Sequence, residues 1–199
     1  MLCVSALSFA QEASGSVVEE IRLCANALRQ RRGLAASRNG EGAPVVLVHG
    51  WLGSSLQLLS WLDCIDTARP VYFFDYSSII PDIDSAVAEL SETLLQVSKQ
   101  HDRLVMGAGH SLGGVLLAKA AQPETVSGYL TVCSPVKLLR DPPATMELNV
   151  SGRYDFVVPA SLAVRRGAQA YAQSNSGHLS AIAHDSTLSA LRFLDEQTS

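Results

Sequence analysis

From Pro44 onward the chain alternates short, continuously apolar runs with longer segments of helical periodicity. The runs Val45–Val48, Val71–Phe74, Leu104–Met106, Tyr129–Cys133 and Met146–Val150 show none of the in-out alternation of a half-exposed strand, and a weaker sixth lies near Ala168–Ala172. A strand apolar on both faces belongs in a parallel sheet covered on both sides. Parallel strands need crossover connections, and the helical patterns at Leu56–Ile65, Ile83–Val97, Val115–Ala121 and Ser186–Leu194 supply them, with an uncertain one after Pro159. The expectation is an α/β fold of about six mostly parallel strands flanked by helices.

Composition narrows the classes. Of 199 residues, 47% are apolar and 17% charged, which suits one packed domain and not a disordered chain. Net charge is −4 with no basic stripe, and only 6% of residues are aromatic, so nucleic acid is not an expected partner. No apolar run reaches the ~18 residues that a membrane-spanning helix requires. Leu2–Ala10 is apolar but short and lacks a basic leader, so a cytoplasmic location is expected, with secretion as the alternative. The four cysteines are scattered and include no C-x-x-C pair. Residues 1–42 read as a helix (Val17, Ile21, Cys24, Leu28) followed by a Gly/Ser/Asn-rich linker from Gly33 to Gly42, and residues 43–199 as one α/β domain. Nothing in the sequence speaks to oligomeric state.

In a parallel α/β sheet, ligands bind beyond the carboxyl ends of the strands. Gly109-His110-Ser111-Leu112-Gly113-Gly114 follows one such strand and opens a helix. A sharp strand-to-helix turn lifts a serine above the sheet, and only very small neighbours fit around it, which makes Ser111 the candidate nucleophile. Val48-His49-Gly50-Trp51-Leu52-Gly53 runs from a buried strand into a Gly-punctuated loop. The backbone N–H groups of Trp51 and Leu112 are the expected oxyanion donors. Trp51 and His110 are also taken as substrate-binding residues, while His49 reads as a structural hydrogen-bonding residue.

A serine hydroxyl needs a histidine to take its proton and a carboxylate to orient that histidine. His101 lies in a polar loop, and His178, after the sixth strand, is taken as the base, with His184 as the alternative. Asp155, on the loop Ser151–Pro159, is taken as the acid, with Asp141 as backup; Asp75 ends an earlier strand. No cluster of His, Asp and Glu has metal-ligand spacing, and Asp82-Ile83-Asp84 reads as charge at a helix N-terminus, so no metal or other cofactor is expected.

These pieces resemble the lipase and esterase branch of the α/β-hydrolase superfamily, especially its small lidless bacterial members. The resemblance spans roughly Pro44 to Leu194 and rests on His49-Gly50-Trp51, Gly109–Gly114, Asp155–Pro159 and Gly177-His178-Leu179. It implies the α/β-hydrolase fold without a cap domain, and a triad in the order Ser111, Asp155, His178. It also implies hydrolysis of a small-molecule ester through an acyl-enzyme. The segment from Ser134 to Thr145 is only twelve residues long, too short for a lid. An open site suits short to medium acyl esters. A thioesterase or acyltransferase on the same scaffold is the alternative. Ser134-Pro135-Val136 stands where many lipases carry Pro-His or Pro-Lys, and the segment before Ala43 has no counterpart in the smallest members.

Overall fold

A computed structural model describes residues 33–77 and 81–199, with backbone alone for 33–37. The expected helix around Val17–Leu28, together with Cys3 and Cys24, lies outside the described residues. Seven strands form one sheet: β1 (Gly33–Arg38), β2 (Val45–Val48), β3 (Val71–Asp75), β4 (Val105–His110), β5 (Val126–Val132), β6 (Met146–Gly152) and β7 (Ala170–Ser174). Their spatial order is β1-β3-β2-β4-β5-β6-β7, and all neighbours run parallel except β1, which is antiparallel to β3.

The continuous apolarity of the strands is explained by two cores. Val45 and Leu47 face one side, with Leu58, Trp61, Leu191 and Leu194. Val46 and Val48 face the other, with Ala86, Leu90, Leu94, Leu116 and Leu117. The first side is covered by a 3₁₀ segment (Ser55–Cys64) and the last helix, α3 (Asp185–Gln197); the second by α1 (Ile83–His101) and α2 (Leu112–Ala120). Asp82 caps α1 by accepting from the Ser85 N–H at 3.2 Å, and Asp102 ends it in the left-handed region at φ 51°.

The chain leaves β2 for β3 on one side, then returns through α1 to place β4 on the other side of β2. The winding therefore reverses between β2 and β4, and a crevice opens at their carboxyl ends. That is where His49-Gly50 and Ser111 emerge.

Two expectations need correction. The stretch from Gly33, read as the start of a linker, is the edge strand β1, paired with β3 from Gly33↔Asp75 to Arg38↔Val71. An edge strand needs only one ladder and escapes the apolar signature of a central one. It is pinned by the Arg38 side chain, which donates to the carbonyls of Arg69 (3.1 Å), Leu62 (3.4 Å) and Ile65 (3.3 Å). Second, β4 begins one residue later than Leu104 and continues through Gly107-Ala108-Gly109 to His110. Those glycines are strand residues because α2 packs tightly on them: a Cβ on Gly107 would stand 2.8 Å from Leu117 Cδ2.

Between β5 and β6 the chain makes one 3₁₀ turn, Val136–Leu138. With no long helix there, a buried polar cluster fills the space under β5 and β6. Glu147 is fully buried and accepts from Tyr129 Oη (2.7 Å), Asn149 Nδ2 (2.7 Å) and Arg165 (3.2 Å). Arg165 also donates to the Asp141 carbonyl at 2.8 Å, so it ties the two long loops together.

The C-terminal helix is locked to the sheet by a second buried pair. Arg69 donates to Asp195 Oδ1 at 2.8 Å, the Asp195 carbonyl at 3.1 Å and the Ala43 carbonyl at 2.7 Å. Removing one partner of such a pair strands the other charge in the interior. Arg69→Met is expected to cost about 3 kcal/mol of unfolding free energy in urea denaturation; a change below ~1 kcal/mol would mean that the pair behaves as a surface pair.

Candidate active site

The turn after β4 holds Ser111 at φ 52°, ψ −121°, a backbone conformation that L-residues avoid and that costs about 1 kcal/mol or more. It persists because its surroundings leave no room to relax. A Cβ on Gly109 would stand 2.6 Å from the Gly114 nitrogen, and one on Gly113 would overlap the carbonyl oxygens of Val48 and His49. The Ser111 N–H is tied to the Val132 carbonyl at 2.8 Å. The strained turn stands the serine above the sheet at the N-terminus of α2.

His178 lies on the loop after β7, and Asp155 on the loop after β6. Pairing between those two strands continues past their ends, with Arg153 N–H donating to the Ser174 carbonyl (2.8 Å) and Tyr154 N–H to the Ser176 carbonyl (3.0 Å). Gly152 permits this closeness, since a Cβ there would meet the Ser176 carbonyl at 2.6 Å. The two loops thus advance side by side over Ser111.

His178 Nδ1 is 2.7 Å from Asp155 Oδ2, and His178 Nε2 is 2.9 Å from Ser111 Oγ. An ionised carboxylate can only accept, so Nδ1 carries the proton and Nε2 presents a lone pair to the serine hydroxyl. Asp155 Oδ1 accepts from the N–H groups of Val157 (2.8 Å) and Val158 (2.7 Å). Burial alone would raise the Asp155 pKa. The hydrogen bond and charge of His178, the Val158 N–H and the Cys133 thiol outweigh it and hold the carboxyl below its usual value.

The structure brings Ser111, Asp155 and His178 together. It leaves Asp141 on an exposed bend, and His184 caps α3 by accepting from the Ser186 N–H at 3.2 Å. Asp75, the last residue of β3, holds the neighbouring loop: it faces His49 Nε2 at 3.2 Å and accepts from the Ser55 N–H at 3.1 Å and the Ser55 hydroxyl at 3.2 Å. His49 stacks on Tyr76 with ring centroids 4.6 Å apart. Together these contacts grip both ends of the Gly50–Ser54 segment, which carries Trp51. The segment is close to Ser111, because a Cβ on Gly50 would be 2.9 Å from Ser111 Cβ. Leu112 opens α2 directly after Ser111.

Of the two residues read as substrate-binding, Trp51 is 57% exposed at the mouth of the site. His110 is 1% exposed and lies beneath the triad, so its ring does not face a substrate. The reading failed because the residue before the nucleophile still belongs to β4 and points inward. His110 Nε2 donates to the His178 carbonyl at 2.9 Å, supporting the loop that holds His178. Its Nδ1 has no hydrogen-bond partner among the described residues.

Sequence reasoning also missed Cys133, whose sulfur lies within 4.8 Å of the Asp155 and His178 donor atoms. A metal would have one candidate donor set among the described residues, Cys133, Asp155 and His178, whose ligand atoms lie within 4.8 Å of one another. A proton already bridges two of them.

No family model matches the chain. Curated relatives match it locally. It is 32% identical over 97 residues to the pimeloyl-[acyl-carrier protein] methyl ester esterase of Aliivibrio fischeri, a stretch that is 48% of this chain and 38% of that protein. The Aliivibrio salmonicida protein of the same name is 30% identical over 97 residues, 37% of its length. The chain thus matches well under half the length of these relatives. Among solved structures, the mature form of the Bacillus licheniformis lipase BlEst2 superposes with a TM-score of 0.66 at 15% identity, covering 85% of this chain and 100% of that one. An α/β hydrolase from the metagenome of lagoon sediments at Mar Chica, Morocco, gives 0.65 at 18% identity, covering 85% and 98%. The chain has the α/β-hydrolase fold, with the sheet and flanking helices of these structures and no cap domain among the described residues.

Burial drives the pKa of His110 down from 6.5 to about 3, with the neighbouring His178 adding to the shift, so it is neutral in the folded protein. A histidine with a depressed folded-state pKa contributes stability that is full above 6.5 and is lost as pH falls from there toward about 3. His110→Gln keeps a donor for the His178 carbonyl but does not titrate. Urea unfolding of this variant is expected to show a shallower loss of stability between pH 6.5 and about 4 than wild type; identical slopes would contradict a neutral, buried His110.

Proposed function

We propose that this chain is a serine hydrolase that cleaves carboxylic esters through an acyl-enzyme on Ser111. The observation that carries the reading is the unbroken line of hydrogen bonds from Ser111 Oγ through His178 to Asp155, at 2.9 and 2.7 Å. His178 Nε2 accepts the serine proton as Oγ attacks the ester carbonyl. The N–H groups of Leu112 and Trp51 donate to the resulting oxyanion. Collapse of the tetrahedral intermediate expels the alcohol, which takes the proton from His178. Water then repeats the sequence on the acyl-enzyme, releasing the acid and restoring the serine.

The curated relatives act, by name, on the methyl ester of a carrier-bound acid. Because the match covers 38% of their length, only the ester chemistry is carried over and not the acyl group. Trp51, Leu138, Phe156 and Val157 stand exposed on the loops after β2, β5 and β6. They offer short to medium acyl chains an open apolar surface without a deep slot, so discrimination per methylene is weak.

A series of nitrophenyl esters of increasing chain length tests this reading. Wild type should be most active on short to medium chains, and Ser111→Ala should lower kcat by about 10⁴-fold. His178→Ala should do the same, while His184→Ala retains activity. Turnover surviving in Ser111→Ala, or lost in His184→Ala and retained in His178→Ala, would overturn the assignment.

A further inference from the structure

Ser111 is not alone among non-glycine residues in having a positive φ just past a strand. It follows His110, which pairs with Val132 across β4 and β5, so the residue one step beyond on the neighbouring strand is Cys133. Cys133 has φ 49°, again left-handed and again not glycine. Its N–H donates to the Val150 carbonyl at 2.8 Å, just as the Ser111 N–H donates to Val132. Two adjacent strands are therefore each followed by a non-glycine residue of positive φ, and the Cys133 sulfur lies near the Asp155 and His178 donor atoms. Glycine would relieve the strain at position 133 without cost to the turn. What a cysteine adds is a fully buried thiol whose sulfur lies within 4.8 Å of the donor atoms of Asp155 and His178.

On the reading of Ser111, His178 and Asp155 as a triad, we infer that Cys133 is a positioning residue: its S–H donates to Asp155 and fixes the rotamer that holds His178 in line with Ser111. The carboxylate then has every approach filled. His178 comes from the loop after β7, the Val157 and Val158 N–H groups from its own loop, and the Cys133 thiol from the end of β5. His110, neutral beneath them, supports the His178 backbone. The thiol takes no covalent part. A weak donor suits this place, because it orients the carboxylate while leaving most of its charge for the imidazolium that forms during turnover.

The test compares Cys133→Gly, Cys133→Ala and Cys133→Ser with wild type on p-nitrophenyl butyrate, reading kcat, KM, the pH dependence of kcat/KM and the thermal midpoint. Cys133→Gly relieves the left-handed turn, so its midpoint should stay within about 4 °C of wild type. Its kcat should fall about tenfold at unchanged KM, because the lost contact acts in the transition state. With one donor fewer, the Asp155–His178 pair should take up its proton at higher pH, moving the acidic limb of kcat/KM upward. Cys133→Ala, which keeps the Cβ, should show the same kinetic loss, and Cys133→Ser, which keeps a donor, should recover most of it. Wild-type kcat and pH profile in Cys133→Gly or Cys133→Ala would overturn the inference, as would Cys133→Ser being as impaired as Cys133→Gly. Those outcomes leave the ester-hydrolase reading standing provided that wild type turns over and Ser111→Ala does not. An inactive wild type would remove both.

Discussion

The structure depends on a backbone contact at the reversal of the sheet's winding. The loop after β2 and the start of α2 approach so closely that no side chain fits at Gly50 or Gly113. That contact keeps the turn at Ser111 in a conformation it would otherwise leave, and it brings the Trp51 segment beside the serine. Strain of about 1 kcal/mol or more at Ser111 is sustainable only where two packed cores and six parallel strands prevent relaxation. The apolar patterning of the chain therefore serves the site as directly as the polar residues do.

Around that turn the polar residues form supports of different kinds. The loop after β2 is gripped through His49, Asp75 and Ser55. The loops after β6 and β7 are held by continued strand pairing and, from below, by the His110 bond to the His178 carbonyl. The buried Glu147–Arg165 pair occupies ground that a helix would otherwise cover, and it fastens the loop after β5 to the one after β6. Each support is hydrogen-bonded, as buried polar groups must be, although the Asp75–Ser55 contacts are only part-buried. The first two sit at the carboxyl ends of strands, on the side where the site lies, whereas Glu147 lies near the start of β6.

Much of this was legible in the sequence, for identifiable reasons. Central strands declare themselves through continuous apolarity, and the strained turn at Ser111 through glycines at 109 and 113 that only a tight turn demands. The order of Ser111, Asp155 and His178 along the chain follows from strand order. The edge strand β1 was not legible, because pairing on one side imposes little on its residues. The length of β4 was hidden by Gly107 and Gly109, which read as loop and are in fact close-packing positions under α2. His110 was misread because adjacency to the serine suggested the site, while strand geometry turns its ring inward. Cys133 and Glu147 were invisible for a further reason: each is explained only by partners far away in sequence, and a lone cysteine or glutamate in an apolar run carries no pattern.

The central claim is that Ser111 is a nucleophile activated by His178. Exposing the protein to a fluorophosphonate and measuring intact mass, followed by mapping of the modified peptide, tests it without assuming any substrate. The account predicts a single adduct on Ser111 that forms far more slowly in His178→Ala. An unlabelled protein, or an adduct on another residue, would contradict it.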